Sequence, residues 1–177
     1  MNAKCATVDE TAVGRFLSAN RIALIGASDS PKNFSSTVFK ELTSRGYDVV
    51  PVNPSYDTVA GCACYATVGD IPVIMDGAII MVPSEAAPDV IRQCIDARVG
   101  RLWLFKGLGG PGATSELASK ICHDAGIDVV DGACPMMFLE PVGWFHRVHR
   151  TVRHLRGDVL FMHGRDNEQR SDRAVAE

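Results

Sequence analysis

The sequence predicts an α/β domain built on a doubly wound parallel sheet, and three observations carry that reading. Short apolar runs without polar alternation recur along the 177 residues, at Ile22–Ile25, Ala78–Val82 and Leu102–Phe105. Such runs suit parallel strands covered on both faces. Between them lie segments whose apolar residues repeat at helical spacing. A glycine then closes a helix just before the next strand, at Gly46, Gly100 and Gly126, the first of them after a basic last turn. Regular strand–helix alternation builds a parallel sheet through right-handed crossovers, with helices on both faces.

Taken in order, Val8, Ala12, Val13, Phe16 and Leu17 give a leading helix over residues 8–19. Arg21–Ile25 is the first strand, stopped by Gly26. A helix is expected from about Ser35 or Ser36, with Val38, Phe39 and Leu42 inward and Arg45-Gly46 at its end. Tyr47–Val52 is the second strand, closed by Asn53-Pro54. Residues 55–76 form a longer connection with a short strand near Cys64-Tyr65 and a turn at Asp70–Pro72. The strand Ala78–Val82 ends at Pro83-Ser84. The next helix begins between Ser84 and Pro88 and buries Ile91, Cys94, Ile95 and the stem of Arg98. Leu102–Phe105 is followed by the glycine-rich loop Lys106–Gly112. A last helix buries Ala118, Ile121, Cys122 and Ala125 before the strand Ile127–Val130.

Beyond residue 140 the pattern changes. The segment Trp144–Arg156 sets Phe145, Val148, Val152 and Leu155 on one helical stripe among arginines and histidines. The expected division is therefore residues 1–140 as the α/β domain with its leading helix, and 141–177 as a basic amphipathic helix with a flexible tail. A helix of this kind can meet a partner, a membrane or a nucleic acid. The reading adopted is that it docks on the domain or across a homodimer, because the segment is short and the chain is slightly acidic. A net charge of −3 and 46% hydrophobic residues place the chain among globular domains and do not point to nucleic acid. The N-terminus lacks the apolar core of a secretory signal, and no apolar run reaches membrane-spanning length. Six scattered cysteines then predict reduced thiols in the cytoplasm.

The first strand and its glycine turn organise the functional reading. In a doubly wound sheet the ligand crevice lies at the carboxyl ends of the strands, where strand order reverses. That puts Gly26–Ser28, Asn53–Pro54, Val82–Ser84 and Lys106–Gly110 on one rim. Backbone N–H groups of a turn that opens a helix are unpaired and weakly positive, so Gly26, Ala27 and Ser28 read as a phosphate cradle, with Ser35 near the helix start. Gly26 alone is also compatible with a plain strand-to-helix turn, Ser28 and Ser35 with helix caps, Asn53-Pro54 with a turn, and Lys106 with a solvated charge. A dinucleotide fingerprint needs three glycines after the first strand and an acid at the end of the second. Here Gly26-Ala-Ser-Asp-Ser-Pro31 keeps one glycine, and the second strand ends in Asn53-Pro54. A conventional NAD site is disfavoured.

Several stretches together resemble the small CoA-binding proteins of the Rossmann type, related to the CoA-binding domain of the succinyl-CoA synthetase alpha subunit. They are Ile25–Ser28, Gly46–Pro54, Cys64–Pro72, Val82–Ala86 and Cys134-Pro135, within roughly residues 20 to 140. The resemblance implies a Rossmann-like fold and coenzyme A or acyl-CoA as ligand. It implies that Gly26, Ala27 and Ser28 hold CoA phosphates and that Asn53 and Pro54 lie near the adenosine. Val82 and Pro83 would line the adenine or pantetheine side, with Phe105 and Lys106 on the following rim. Small members of that family often carry glutamine where Lys106 stands. The lysine that the synthetase type places after its second strand has no counterpart near Ser55-Tyr56.

Catalytic signals are sparse. The chain has no Gly-x-Ser-x-Gly elbow and no phosphate loop ending in Gly-Lys, and Lys106 precedes its glycines. The synthetase's phosphohistidine resides on another domain. His146 and His149 with Cys62 and Cys64 match no standard zinc spacing, so no metal is expected. Cys134 invites a mixed disulfide with CoA, but a buried inert thiol is the favoured reading. The sequence thus points to non-catalytic CoA binding with a regulatory, carrier or thiol-protecting role. An NAD(P)-dependent enzyme using Lys106 and a pseudo-Rossmann interaction module are the alternatives.

Overall fold

Five parallel strands form the centre of the computed structural model, which describes residues 9–107, 110 and 112–139. In chain order the elements are α1 (Glu10–Leu17), β1 (Arg21–Ile25), α2 (Phe34–Ser44), β2 (Asp48–Val52), β3 (Thr58–Val59), β4 (Cys62–Ala63), β5 (Gly77–Ile80), α3 (Ala87–Asp96), β6 (Arg101–Phe105), α4 (Glu116–Asp124) and β7 (Asp128–Ala133). The main sheet runs β2-β1-β5-β6-β7, all parallel, and β3-β4 is a separate antiparallel hairpin. From β1 the chain first adds a strand on one side and then crosses to the other. The strand order therefore reverses between β1 and β5.

Side chains of successive strand residues alternate between two cores. Ile22, Leu24, Ile79, Trp103 and Val130 pack with α1 and α2, while Ala23, Ile25, Ala78, Ile80, Leu102 and Leu104 pack with α3 and α4. Both faces are covered, which is why the strands read as unbroken apolar runs. Trp103 is fully buried between Phe16 and Phe138, edge-on to both, and its indole N–H donates to the Ala133 carbonyl at 2.8 Å. That bond satisfies the one polar group this large side chain carries into the core.

Several boundaries differ from the sequence reading, each for a local reason. Helix α2 starts at Phe34, because the Asn33 side chain caps it by accepting the Ser35 N–H. Gly46 and Gly126 do adopt the left-handed conformation after α2 and α4, but Gly100 does not follow α3 in this way. Arg98 takes that role with φ of 60°, and the Val99 N–H reaches back to the Cys94 carbonyl at 2.9 Å. The Arg98 side chain is accordingly exposed, as is Ala125 beyond α4. The short strand near Cys64-Tyr65 resolves into the β3–β4 hairpin plus one bridge between Val52 and Tyr65. The turn at Asp70–Pro72 is preceded by a 3-10 turn, Val68–Asp70. The terminal segment 141–177 lies outside the described residues.

Candidate functional site

The switch point lies between the carboxyl ends of β1 and β5. Gly26 sits there with φ of 86°, and a Cβ on it would come within 2.5 Å of the Met81 carbonyl oxygen. Only glycine combines that conformation with that approach. Its requirement is thus met first by the neighbouring strand end, independently of any ligand. The Gly26 and Ala27 N–H groups both donate to the Val52 carbonyl, at 2.9 and 3.3 Å. The first turn is pinned across β1 to β2 in this way. The next two amides, Ser28 and Asp29, have no hydrogen-bond acceptor among the described residues.

The remaining sequence-derived residues fall around this turn. Ser28 is buried, with its hydroxyl 3.2 Å from the Tyr56 hydroxyl and accepting from the Ser30 N–H. Asn53 donates its carboxamide N–H to the Ala27 carbonyl at 2.7 Å and accepts the Ser55 N–H at 2.9 Å, so the two loops are joined through one side chain. Pro54 and Pro83 are exposed, and Val82 is half-buried beside Gly26. Ser35 is the outlier. It is buried, and its hydroxyl donates to Asn33 within the helix cap. The α2 start spends its first amides on Asn33, so the loop rather than the helix end offers free donors.

Phe105 and Lys106 reach the rim through a β-bulge. The β6–β7 register shifts between Leu104 and Phe105, and Gly132 supplies the extra residue with φ of 76°. The Lys106 N–H donates to the Ala133 carbonyl at 3.2 Å, and its side-chain stem passes Gly132. The glycine loop returns at Ala113, whose N–H donates to the Phe105 carbonyl at 2.8 Å. The Phe105 ring also meets the half-exposed Phe34, with centroids 5.6 Å apart.

Sequence reasoning missed Tyr56, Phe34 and Lys40 near this site. Their signals are weak because each lies on an irregular stretch or an outward helix face and is recruited by tertiary contact. A recess of about 150 Å³ lies between Ser28 and Asp29 of the first loop, Ser36, Phe39 and Lys40 of α2, and Val59 and Ala60 of the hairpin. A larger groove of about 460 Å³ lies elsewhere, lined by residues such as Val68, Ile71, Met75, Gln93 and Val99. It holds no lysine or arginine, so the smaller, cation-flanked recess is the better anion site despite its size. Among the described lysines, Lys120 pairs with Asp124, whereas Lys32, Lys40 and Lys106 have no ion-pair partner among the described residues.

Cysteine chemistry is muted. Burial pushes the Cys94 thiol up to about 12 and the Cys122 thiol up to about 11. Burial also raises Cys64, whose sulfur lies 3.7 Å from the Asn53 carbonyl. Cys134 is buried at the end of β7, and Cys62 is exposed. Among the described residues no three His, Cys, Asp or Glu side chains gather as a metal site, and no helix is long and apolar enough to cross a membrane.

A five-stranded parallel sheet with a pinned glycine turn at its switch point defines an α/β domain of the Rossmann-like class. Residues 20–140 match the family described as CoA binding domain, and the chain belongs to that family. It is 33% identical over 125 residues to the alpha subunit of acetate–CoA ligase (ADP-forming) II of Pyrococcus furiosus, a match covering 67% of this chain and 27% of the relative. The chain thus spans about a quarter of that subunit's length. It is 28% identical over 116 residues to the uncharacterized protein YneT of Bacillus subtilis, covering 66% of this chain and 82% of the relative. A hypothetical protein from Pyrococcus horikoshii OT3 superposes with a TM-score of 0.69 at 30% identity, covering 80% of this chain and 96% of that one.

Proposed function

We propose that this protein binds coenzyme A or an acyl-CoA without itself performing chemistry on it. The observation that carries this reading is the charge pattern of the switch-point rim. The Ser28 and Asp29 amides have no acceptor among the described residues, Lys40 flanks the same loop without an ion-pair partner there, and β2 ends in Asn53-Pro54 rather than in the acid that a dinucleotide site places to hold a ribose diol. The diphosphate rests on the Ser28 and Asp29 N–H groups, and Lys106 adds positive charge. The adenosine lies over Asn53 and Pro54, and the pantetheine arm runs past Val82, Pro83 and Phe105. The role is regulatory, carrier or thiol-protecting, exercised as a cytoplasmic homodimer that contacts neither nucleic acid nor membrane.

A thermal-shift series with CoA, acetyl-CoA, NAD and NADP tests this. Ligand at a hundred times its dissociation constant adds about 2.7 kcal/mol of stability. Shifts with CoA and acetyl-CoA and none with NAD or NADP are expected. A shift with NADP alone turns the reading toward a dinucleotide enzyme, and none with any ligand removes it.

A further inference from the structure

We propose that the recess between the first loop, α2 and the β3–β4 hairpin takes a ribose phosphomonoester, the 3′-phosphate of CoA, and that Lys40 makes the site prefer it. This rests on the CoA reading above and goes beyond it by naming which phosphate is recognised and by what.

The recess, about 150 Å³, adjoins the pinned turn on its β2 side, beside the rim assigned to the adenosine. Two of its wall side chains are buried hydroxyls, set among Phe39, Val59 and Ala60. Ser28 and Ser36 are both more than nine-tenths buried. Ser36 donates its hydroxyl to the Asn33 carbonyl. Between the Ser28 and Tyr56 hydroxyls lies a single hydrogen bond, which uses one of their two hydrogens. With the Tyr56 hydroxyl as donor, the Ser28 hydrogen remains to donate into the recess that Ser28 lines. Lys40 contributes the positive charge, being one turn beyond Ser36 on the same helix face, with no ion-pair partner among the described residues.

Asp29 also lines the recess, and a second anion beside it needs an account. Its Oδ1 accepts the Ala60 N–H at 2.8 Å, which ties the carboxylate to the hairpin, where Ala60 has a φ of 51°. The carboxylate is therefore part of the recess wall, and the hairpin amide offsets its charge. A dianionic phosphomonoester sits against Lys40 and the spare hydroxyl, and Asp29 sets the upper limit on how tightly it is held.

Isothermal titration with CoA and with dephospho-CoA, on the unaltered protein and on Lys40→Met and Lys40→Arg, tests this. The unaltered protein is expected to bind CoA roughly tenfold more tightly than dephospho-CoA, as for one charge-assisted contact near a surface. Lys40→Met brings the two affinities together by weakening CoA, Lys40→Arg keeps the preference, and Asp29→Asn widens it. The same preference should appear for adenosine 3′,5′-bisphosphate over AMP, where no pantetheine is present. Lys40 is exposed, so its variants should keep the parent melting temperature. Equal binding of CoA and dephospho-CoA by the unaltered protein overturns the proposal while leaving the CoA reading intact. So does a preference that survives Lys40→Met. Failure of both ligands to bind removes the CoA reading and this proposal together.

Discussion

At the N-terminal ends of the strands Arg15 meets Asp128 through two hydrogen bonds, Arg21 meets Asp48, and Asp76 accepts the Arg21 and Asn20 N–H groups at 2.9 and 3.0 Å. At the carboxyl ends the Ser28 and Asp29 amides, Lys32 and Lys106 have no such partners among the described residues. The same sheet thus closes its charges at one end and leaves donors open at the other. On the proposed CoA reading, stability and recognition are separated along the strand axis. The difference teaches where to look for each: substitutions at the first end should act on unfolding, and cation removals at the second should act on ligand affinity.

Gly26→Ala is the exception, because Gly26 belongs to the open end yet is fixed by the backbone of Met81. A methyl there meets both a left-handed conformation and a carbonyl contact, so a loss of about 2–4 kcal/mol is expected in urea unfolding. A change below about 1 kcal/mol would show that the turn yields and that the glycine serves the ligand instead. Next in size is the paired removal Lys32→Gln with Lys106→Gln. It should weaken CoA roughly tenfold by titration while leaving the unliganded melting temperature in place. Lost stability with unchanged affinity would reverse the assignment of the two ends.

Asp76→Ala should cost about 1 kcal/mol, after allowance for its solvent exposure, with CoA affinity unchanged. The Arg21 and Asn20 amides hold the Asp76 carboxyl below the ordinary value of 3.8. A depressed folded-state value means that its stabilisation is present above pH 3.8 and is lost as pH falls further. The variant's stability curve should therefore be flatter than the parent's at the acid limb, in urea titrations from pH 5 to 2. Smallest is an ordering of thiols. At pH 8 iodoacetamide should modify the exposed Cys62 before Cys94 and Cys122, read by peptide mass. The two buried thiols have raised values, so the stability of their neutral form holds below the ordinary 9.0 and falls as pH rises toward about 11 and 12.

The topology was legible because a strand buried on two faces writes itself as an unbroken apolar run, as in Leu102–Phe105. The Gly26 turn was visible for a related reason, since few residues besides glycine stop such a run so sharply. What the sequence concealed depends on partners distant along the chain. Nothing local shows that the Val52 carbonyl absorbs the Gly26 and Ala27 amides, which moves the free donors one step on to Ser28 and Asp29. Ser35 looked like a helix-start hydroxyl, yet Asn33, two positions earlier, wins the cap and draws the serine inward. Gly100 seemed the natural helix stop, but Arg98 tolerates the left-handed turn when the Val99 N–H closes it. Lys40 is one outward lysine on α2 until the β3–β4 hairpin folds beside it.

Asn53 has a further consequence. Its carboxamide grips the Ala27 carbonyl with one end and the Ser55 amide with the other, so the lips of the crevice are stapled before any guest arrives. Ordering those lips is then a debt settled during folding, and docking carries less of it. Capture should accordingly proceed in one kinetic phase, and Asn53→Ala should introduce a second, slower one.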